Sequence, residues 1–69
     1  MKLSARNQLK GKVTDIKEGV VTARVIVDIG NGNKITSTIS MDAVKDLDIK
    51  VGSEVTTIIK ASSVMLAVD

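Results

Sequence analysis

The sequence predicts a single all-β domain, and three of its features support that prediction. Val, Ile and Thr, which favour extended strands, occupy 24 of the 69 positions. Proline, which interrupts the hydrogen-bond ladder of a sheet, is absent. Several stretches alternate apolar and polar residues with the two-residue period of a half-buried strand. Because 69 residues are too few for a second core, we expect residues 1–69 to form one domain.

The first strand is predicted at residues 8–17, and it ends at the turn around Gly19. Leu9, Gly11 and Val13 share one face of this strand, because successive side chains point to opposite sides. Gly11 lacks a Cβ atom and therefore indicates either a β-bulge or a second backbone that passes close by.

The second and third strands are predicted to form a hairpin, at residues 20–29 and 34–40. The tetrad Gly30-Asn31-Gly32-Asn33 lies between them, and Asn-Gly between alternating runs is the strongest local signal for a hairpin turn. The buried face of the second strand is predicted to hold Val21, Ala23, Val25, Val27 and Ile29.

The alternation lapses at residues 41–47, where a short helix is predicted. Ser40 is a favourable N-cap, and Asp42 in the first turn suits the positive end of the helix dipole. Val44 and Leu47 are three residues apart, and we expect both to be buried. Two strands follow, at residues 54–59 and 64–68. Five strands with one short helix between the third and the fourth are typical of a small OB-like five-stranded β barrel.

The residue types that are missing exclude most kinds of chemistry. Without His or Cys the chain lacks the usual general base, the common nucleophile pairs and the ligands of zinc clusters and haem. We therefore expect no catalytic residues, no metal-ion site and no enzymatic activity. Without Phe, Tyr or Trp there is no platform on which single-stranded bases stack, and a net charge of +2 is too small for a phosphate-binding stripe.

The small size of the chain favours self-association. Small domains compensate for a thin core with disulfides, a structural metal or oligomerisation, and the first two need Cys or His. No apolar run approaches the roughly 20 residues of a membrane span, and the first ten residues have no signal-peptide core. We expect a cytoplasmic homo-oligomer with no membrane partner.

Two short segments, here called the first and second donor segments, combine a cation with hydroxyls and small residues. They are Ser4-Ala5-Arg6-Asn7 and Lys60-Ala61-Ser62-Ser63. A tetrahedral oxyanion presents only acceptors, so its site needs cationic groups, hydroxyls and accessible backbone N–H groups. Either segment alone is also typical of an ordinary surface loop. Their similarity, at opposite ends of a chain expected to oligomerise, suggests that the start of one subunit meets the end of another.

Three stretches of the sequence, residues 4–13, 32–37 and 59–67, closely resemble the molbindins. These are the small molybdate-binding proteins of the Mop family, and the resemblance covers essentially the whole chain. It implies an OB-like barrel, dimers that exchange a strand, and a homohexamer built as a trimer of dimers with oxyanions bound at subunit interfaces.

The resemblance also implies a set of site residues. By position, the oxyanion ligands would be Ser4, Arg6, Asn7, Lys60, Ala61 through its backbone, and Ser62. A second kind of interfacial site in the family uses mostly main-chain groups, and the turn at Gly19 and Val20 is its candidate here.

The function predicted from these residues is non-catalytic binding and storage or buffering of molybdate, with tungstate as a possible alternative ligand. Two other functions stay open at this point. One is an OB-type nucleic-acid-binding module, which the missing aromatic residues disfavour. The other is a purely structural oligomerisation domain that is indifferent to anions.

Overall fold

The computed structural model describes all 69 residues as four strands, one short helix and a 3-10 turn. In chain order the elements are β1 (Asn7–Glu18), β2 (Thr22–Gly30), β3 (Asn33–Ser40), α1 (Met41–Asp46), β4 (Glu54–Ile59) and the 3-10 turn (Ala61–Ser63). The strands form one antiparallel sheet in the order β3-β2-β1-β4. The predicted all-β fold with a helix between the third and fourth strands is confirmed.

Local sequence explains both the β2–β3 hairpin and the start of α1. Asn31 and Gly32 adopt φ values of 54° and 78°, the positive values that the tight turn requires. The Ser40 side chain accepts a 3.0 Å hydrogen bond from the Ala43 N–H, so it caps the helix as predicted. The helix is short, and no helix of the chain is long and apolar enough to cross a membrane.

A β-bulge interrupts β1 at Thr14, where the register with β2 changes between Val13 and Asp15. The extra residue allows Val13 and Ile16, which are three positions apart, to face the core together. Gly11 lies outside the bulge. A Cβ atom at Gly11 would lie 2.5 Å from the carbonyl oxygen of Asp28, so this glycine serves close backbone approach.

The buried core of one chain is thin. It consists of five small side chains: Val13, Ala23, Val25, Val27 and Val44. Two positions predicted to be buried are exposed, Val21 because it precedes β2 and Leu47 because it is the C-cap of α1. Ile49 packs against the core just after the helix, and its N–H donates to the Val44 carbonyl at 3.0 Å.

The predicted fifth strand is not formed, so the sheet is an open, curled sheet rather than a closed five-stranded barrel. Residues 64–68 follow the 3-10 turn without entering the sheet, because no strand of the same chain lies beside them to complete a ladder. Met65, Leu66 and Val68 are 91%, 94% and 96% exposed. The outer edges of β3 and β4 carry no neighbouring strand.

Candidate anion-binding site

The two donor segments meet within one chain. Asn7 begins β1 and Ile59 ends β4, and the two residues are register partners in the sheet. Arg6 and Lys60 are the next residues beyond this pair, so both cations leave the sheet from the same end. The sequence suggested a meeting between different subunits, whereas the antiparallel β1–β4 ladder brings the segments together inside one subunit.

The second donor segment forms a 3-10 turn that presents two free backbone donors. The Ser63 N–H donates to the Lys60 carbonyl at 2.9 Å, and the Val64 N–H donates to the Ala61 carbonyl at 3.2 Å. The N–H groups of Ala61 and Ser62 have no acceptor within the chain. Adjacent unpaired N–H groups beside small side chains are accessible donors suited to an anion.

The positive charge at this end of the sheet is not neutralised within the chain. Arg6 and Lys60 are both exposed, and neither forms an ion pair. The single ion pair of the structure joins Lys50 and Asp48 at 3.6 Å, in the turn that precedes β4. The guanidinium and the ammonium group are therefore available to a ligand.

The remaining residues of the first donor segment differ in their surroundings. Ser4 is exposed and lies at a bend before β1. Ala5 is half-buried, and its carbonyl oxygen accepts a 3.4 Å hydrogen bond from Gln8 Nε2. Asn7 is half-buried, and its Nδ2 donates to the Ile59 carbonyl oxygen at 3.2 Å. The structure thus brings Arg6, Asn7 and the second donor segment together, with Ser4 on the approach to β1.

The second candidate site, at Gly19 and Val20, lies at the opposite end of β1. The Gly19 N–H donates to the Thr22 carbonyl oxygen at 2.9 Å, so this amide is used inside the turn. Val20 is 97% exposed, and its N–H has no acceptor in the chain. A concavity of about 220 Å³ beside the turn is lined partly by Lys17 and Arg24. Within one chain this turn is separate from the donor segments.

A groove of about 630 Å³ lies on the outer face of the sheet and away from both candidate sites. Its lining includes part of a charge row that crosses all four strands as register partners: Lys34, Asp28, Lys12 and Glu54. The charges alternate in sign along this row, so the groove offers an anion no net attraction. The charge row is not evident in the sequence, because its members lie far apart in the chain and only the register aligns them.

Comparison with known proteins assigns the chain to a family. Residues 3–66 match the TOBE domain family. The chain is a TOBE-domain protein. It is 56% identical over 66 residues to molybdenum-pterin-binding protein 1 from Clostridium pasteurianum, and the match spans 96% of this chain and 97% of that protein. The resemblance to the Mop family that the sequence indicated is confirmed.

Solved structures resemble the TOBE-domain chain along its whole length. MopII from Clostridium pasteurianum matches with a TM-score of 0.90 and 54% identity, covering 97% of this chain and 100% of that one. The cytoplasmic molybdate-binding protein ModG, in a form with molybdate bound, matches with a TM-score of 0.95 and 42% identity. That match covers 100% of the TOBE-domain chain and 49% of ModG. These likenesses confirm the mostly β fold with one short helix.

Proposed function

We propose that this protein binds molybdate at the end of the β1–β4 ladder and serves as a non-catalytic store or buffer of the anion. The observation that carries the proposal is the meeting of unpaired Arg6 and Lys60 with the free N–H groups of Ala61 and Ser62. The relatives support it, since one is named for molybdenum-pterin binding and another has molybdate bound.

The chemistry of the site suits an oxyanion that carries no proton. The proposed ligands are the side chains of Ser4, Arg6, Lys60 and Ser62 with the backbone of Ala61, and Asn7 lies at the base of the site. Guanidinium and ammonium groups act only as donors, and backbone N–H groups do as well. Molybdate and tungstate ions need only donors, whereas phosphate near neutral pH retains a proton that needs an acceptor. Phosphate should therefore compete weakly, and tungstate should compete well.

The exposed apolar surface of the single chain supports a proposal of self-association. Only five side chains are buried, while residues 64–68 extend from the sheet and two strand edges stay open. A strand added to an open edge gains main-chain hydrogen bonds and buries its apolar side chains. We propose that residues 64–68 of one subunit complete the sheet of another in a strand-exchanged dimer, and that three dimers form a hexamer.

Exchange of residues 64–68 places the proposed molybdate site at a subunit interface. The exchanged residues directly follow Lys60-Ala61-Ser62-Ser63, so a partner subunit must pass close to the free N–H groups of that turn. The turn at Gly19 and Val20 is proposed as a second anion site that uses main-chain groups. Its exposed valine side chains indicate that another subunit covers it.

The proposed location is the cytoplasm, in line with ModG, which is described as cytoplasmic. A nucleic-acid-binding role finds no support in the structure, because the chain has no aromatic residue and the charge row is balanced. A purely structural oligomerisation domain would assemble without any response to anions.

Calorimetric titration of the assembled protein with molybdate, tungstate, sulfate and phosphate tests the proposed function. We expect saturable heats with molybdate and tungstate and weak heats with phosphate. Lys60→Ala should reduce the molybdate heat, and Lys45→Ala, which removes an equal charge from the exposed end of α1, is the matched control. Absence of molybdate heat from the assembled protein would favour a purely structural domain. Equal affinity for all four anions would overturn a site built almost entirely of donors.

A further inference from the structure

Asn7 lies at the junction of the two donor segments. Its backbone pairs with Ile59, the last residue of β4, and its side-chain Nδ2 donates to the Ile59 carbonyl oxygen at 3.2 Å. This hydrogen bond is half-buried and joins positions 52 residues apart in the chain. It is the only side-chain hydrogen bond that links β1 to β4.

The accepting carbonyl belongs to the same peptide group as the Lys60 nitrogen. Asn7 therefore holds the peptide plane from which the 3-10 turn begins. Two further hydrogen bonds hold the rest of the turn: the Ser63 N–H donates to the Lys60 carbonyl, and the Val64 N–H donates to the Ala61 carbonyl. Together the three bonds fix the direction in which the N–H groups of Ala61 and Ser62 point.

We infer that Asn7 is a positioning residue, which holds the turn that starts at Lys60 in the geometry that receives the oxyanion and does not itself bind the anion. The inference rests on the proposed molybdate site. One Nδ2 hydrogen of Asn7 is already donated to the Ile59 carbonyl oxygen. A group that orients the ligands of a bound ion commonly increases the affinity for the ion without touching it. Asn7 thus differs in role from Arg6, which has no hydrogen-bond partner in the chain.

Molybdate affinity tests whether Asn7 contributes to the site through the turn backbone. Asn7→Ala should weaken binding by about tenfold, the lower end of the effect of outer-shell groups on bound ions. In a Lys60→Ala background the same change should weaken binding by a similar factor, because the N–H groups of Ala61 and Ser62 that Asn7 orients are still present. An unchanged affinity in Asn7→Ala would overturn the inference.

Nuclear magnetic resonance on the anion-free protein tests positioning independently of molybdate. The Ser63 amide proton should have the temperature coefficient of a hydrogen-bonded proton in the parent and in Asn33→Ala, which removes an exposed amide at the far hairpin. In Asn7→Ala the Ser63 amide proton should have the temperature coefficient of a solvent-exposed proton. A hydrogen-bonded Ser63 amide in Asn7→Ala would overturn the inference even where molybdate binds normally. Failure of the parent to bind molybdate would instead overturn the proposed function.

The parent protein alone provides the test if Asn7→Ala does not fold. Scalar coupling across the hydrogen bond from Asn7 Nδ2 to the Ile59 carbonyl carbon should persist when molybdate is added. Loss of that coupling on titration would mean that the side chain turns to the anion, which contradicts a positioning role.

Discussion

Single residues at the end of the β1–β4 ladder account for the proposed chemistry. Lys60 and Arg6 supply charge that no carboxylate of the chain neutralises, and Ala61 at the start of the 3-10 turn supplies a free N–H group that its small side chain leaves accessible. The sequence alone identified these residues by type. It could not show that they share one end of the sheet, because that depends on the pairing of Asn7 with Ile59.

Removal of either cation should weaken molybdate binding strongly. Lys60→Ala and Arg6→Ala should each cost about 2–5 kcal/mol of binding free energy, as when one partner of a buried charge pair is removed. Arg6→Lys should restore only part of the loss, because an ammonium group cannot reproduce the planar guanidinium fork. Calorimetry measures these values against Lys45→Ala. Alanine variants that titrate like the parent would show that the anion binds elsewhere.

Gly11 should tolerate no side chain. A Cβ atom there would lie 2.5 Å from the Asp28 carbonyl oxygen and 2.6 Å from Cγ1 of buried Val27. Gly11→Ala should therefore lower the free energy of unfolding by about 1–3 kcal/mol, as overpacking does in other cores. Urea unfolding at a fixed protein concentration measures the change, with Lys10→Ala at the neighbouring exposed position as control. A variant as stable as the parent would show that the strands separate easily at this point.

At the level of elements, local sequence determines the turns, and tertiary pairing determines the register. The hairpin and the helix start were predictable, because Asn31, Gly32 and Ser40 act through their own backbone neighbourhood. The bulge at Thr14 was not predicted: the apolar positions change phase between Val13 and Ile16 in the sequence, but only pairing with β2 shows which residue is extra. The charge row depends on that same pairing.

The charge row should stabilise the register of the sheet. Lys12 faces Asp28 on one side and Glu54 on the other, and opposite charges directly across strands contribute about 0.2–1 kcal/mol per pair. Lys12→Glu replaces two attractions with two repulsions and should cost about 1–3 kcal/mol of unfolding free energy on that scale.

The matched control for this change is Lys10→Glu, which alters the net charge equally but faces Thr56 on β4. Urea unfolding in low salt should separate the two variants, and high salt should bring them together because exposed charges are screened. Equal destabilisation of both variants would mean that the effect reflects net charge and not register.

For the whole molecule, the single chain leaves its C-terminal apolar residues and two strand edges without partners. The sequence predicted a fifth strand at residues 64–68, which the chain does not form, because alternation cannot tell whether a strand has a partner within its own chain. Residues 64–68 find no such partner, and Met65, Leu66 and Val68 remain almost fully exposed. The thin core of five side chains also favours association with another subunit, because small domains without disulfides or metals gain stability by association.

Deletion of residues 64–69 should therefore dissociate the assembly. Sedimentation velocity should give a smaller species than the parent, and thermal unfolding should occur at a lower temperature. Molybdate affinity should fall by tenfold or more, about the range seen when the groups supporting an ion site are lost. Deletion of Asp69 alone is the control, since it leaves the apolar stretch intact. A truncated chain that keeps the parent's mass would place the subunit contacts elsewhere.

Molybdate is proposed to bind at the end of the β1–β4 ladder, where a second subunit would complete the site. An anomalous difference map at the molybdenum absorption edge, from crystals grown with molybdate, would locate the bound anion. We predict a peak within hydrogen-bonding reach of Arg6, Lys60 and the N–H groups of Ala61 and Ser62, with residues 64–68 of another subunit alongside. A peak confined to the groove at the charge row, or a peak contacted by one subunit alone, would contradict this proposal.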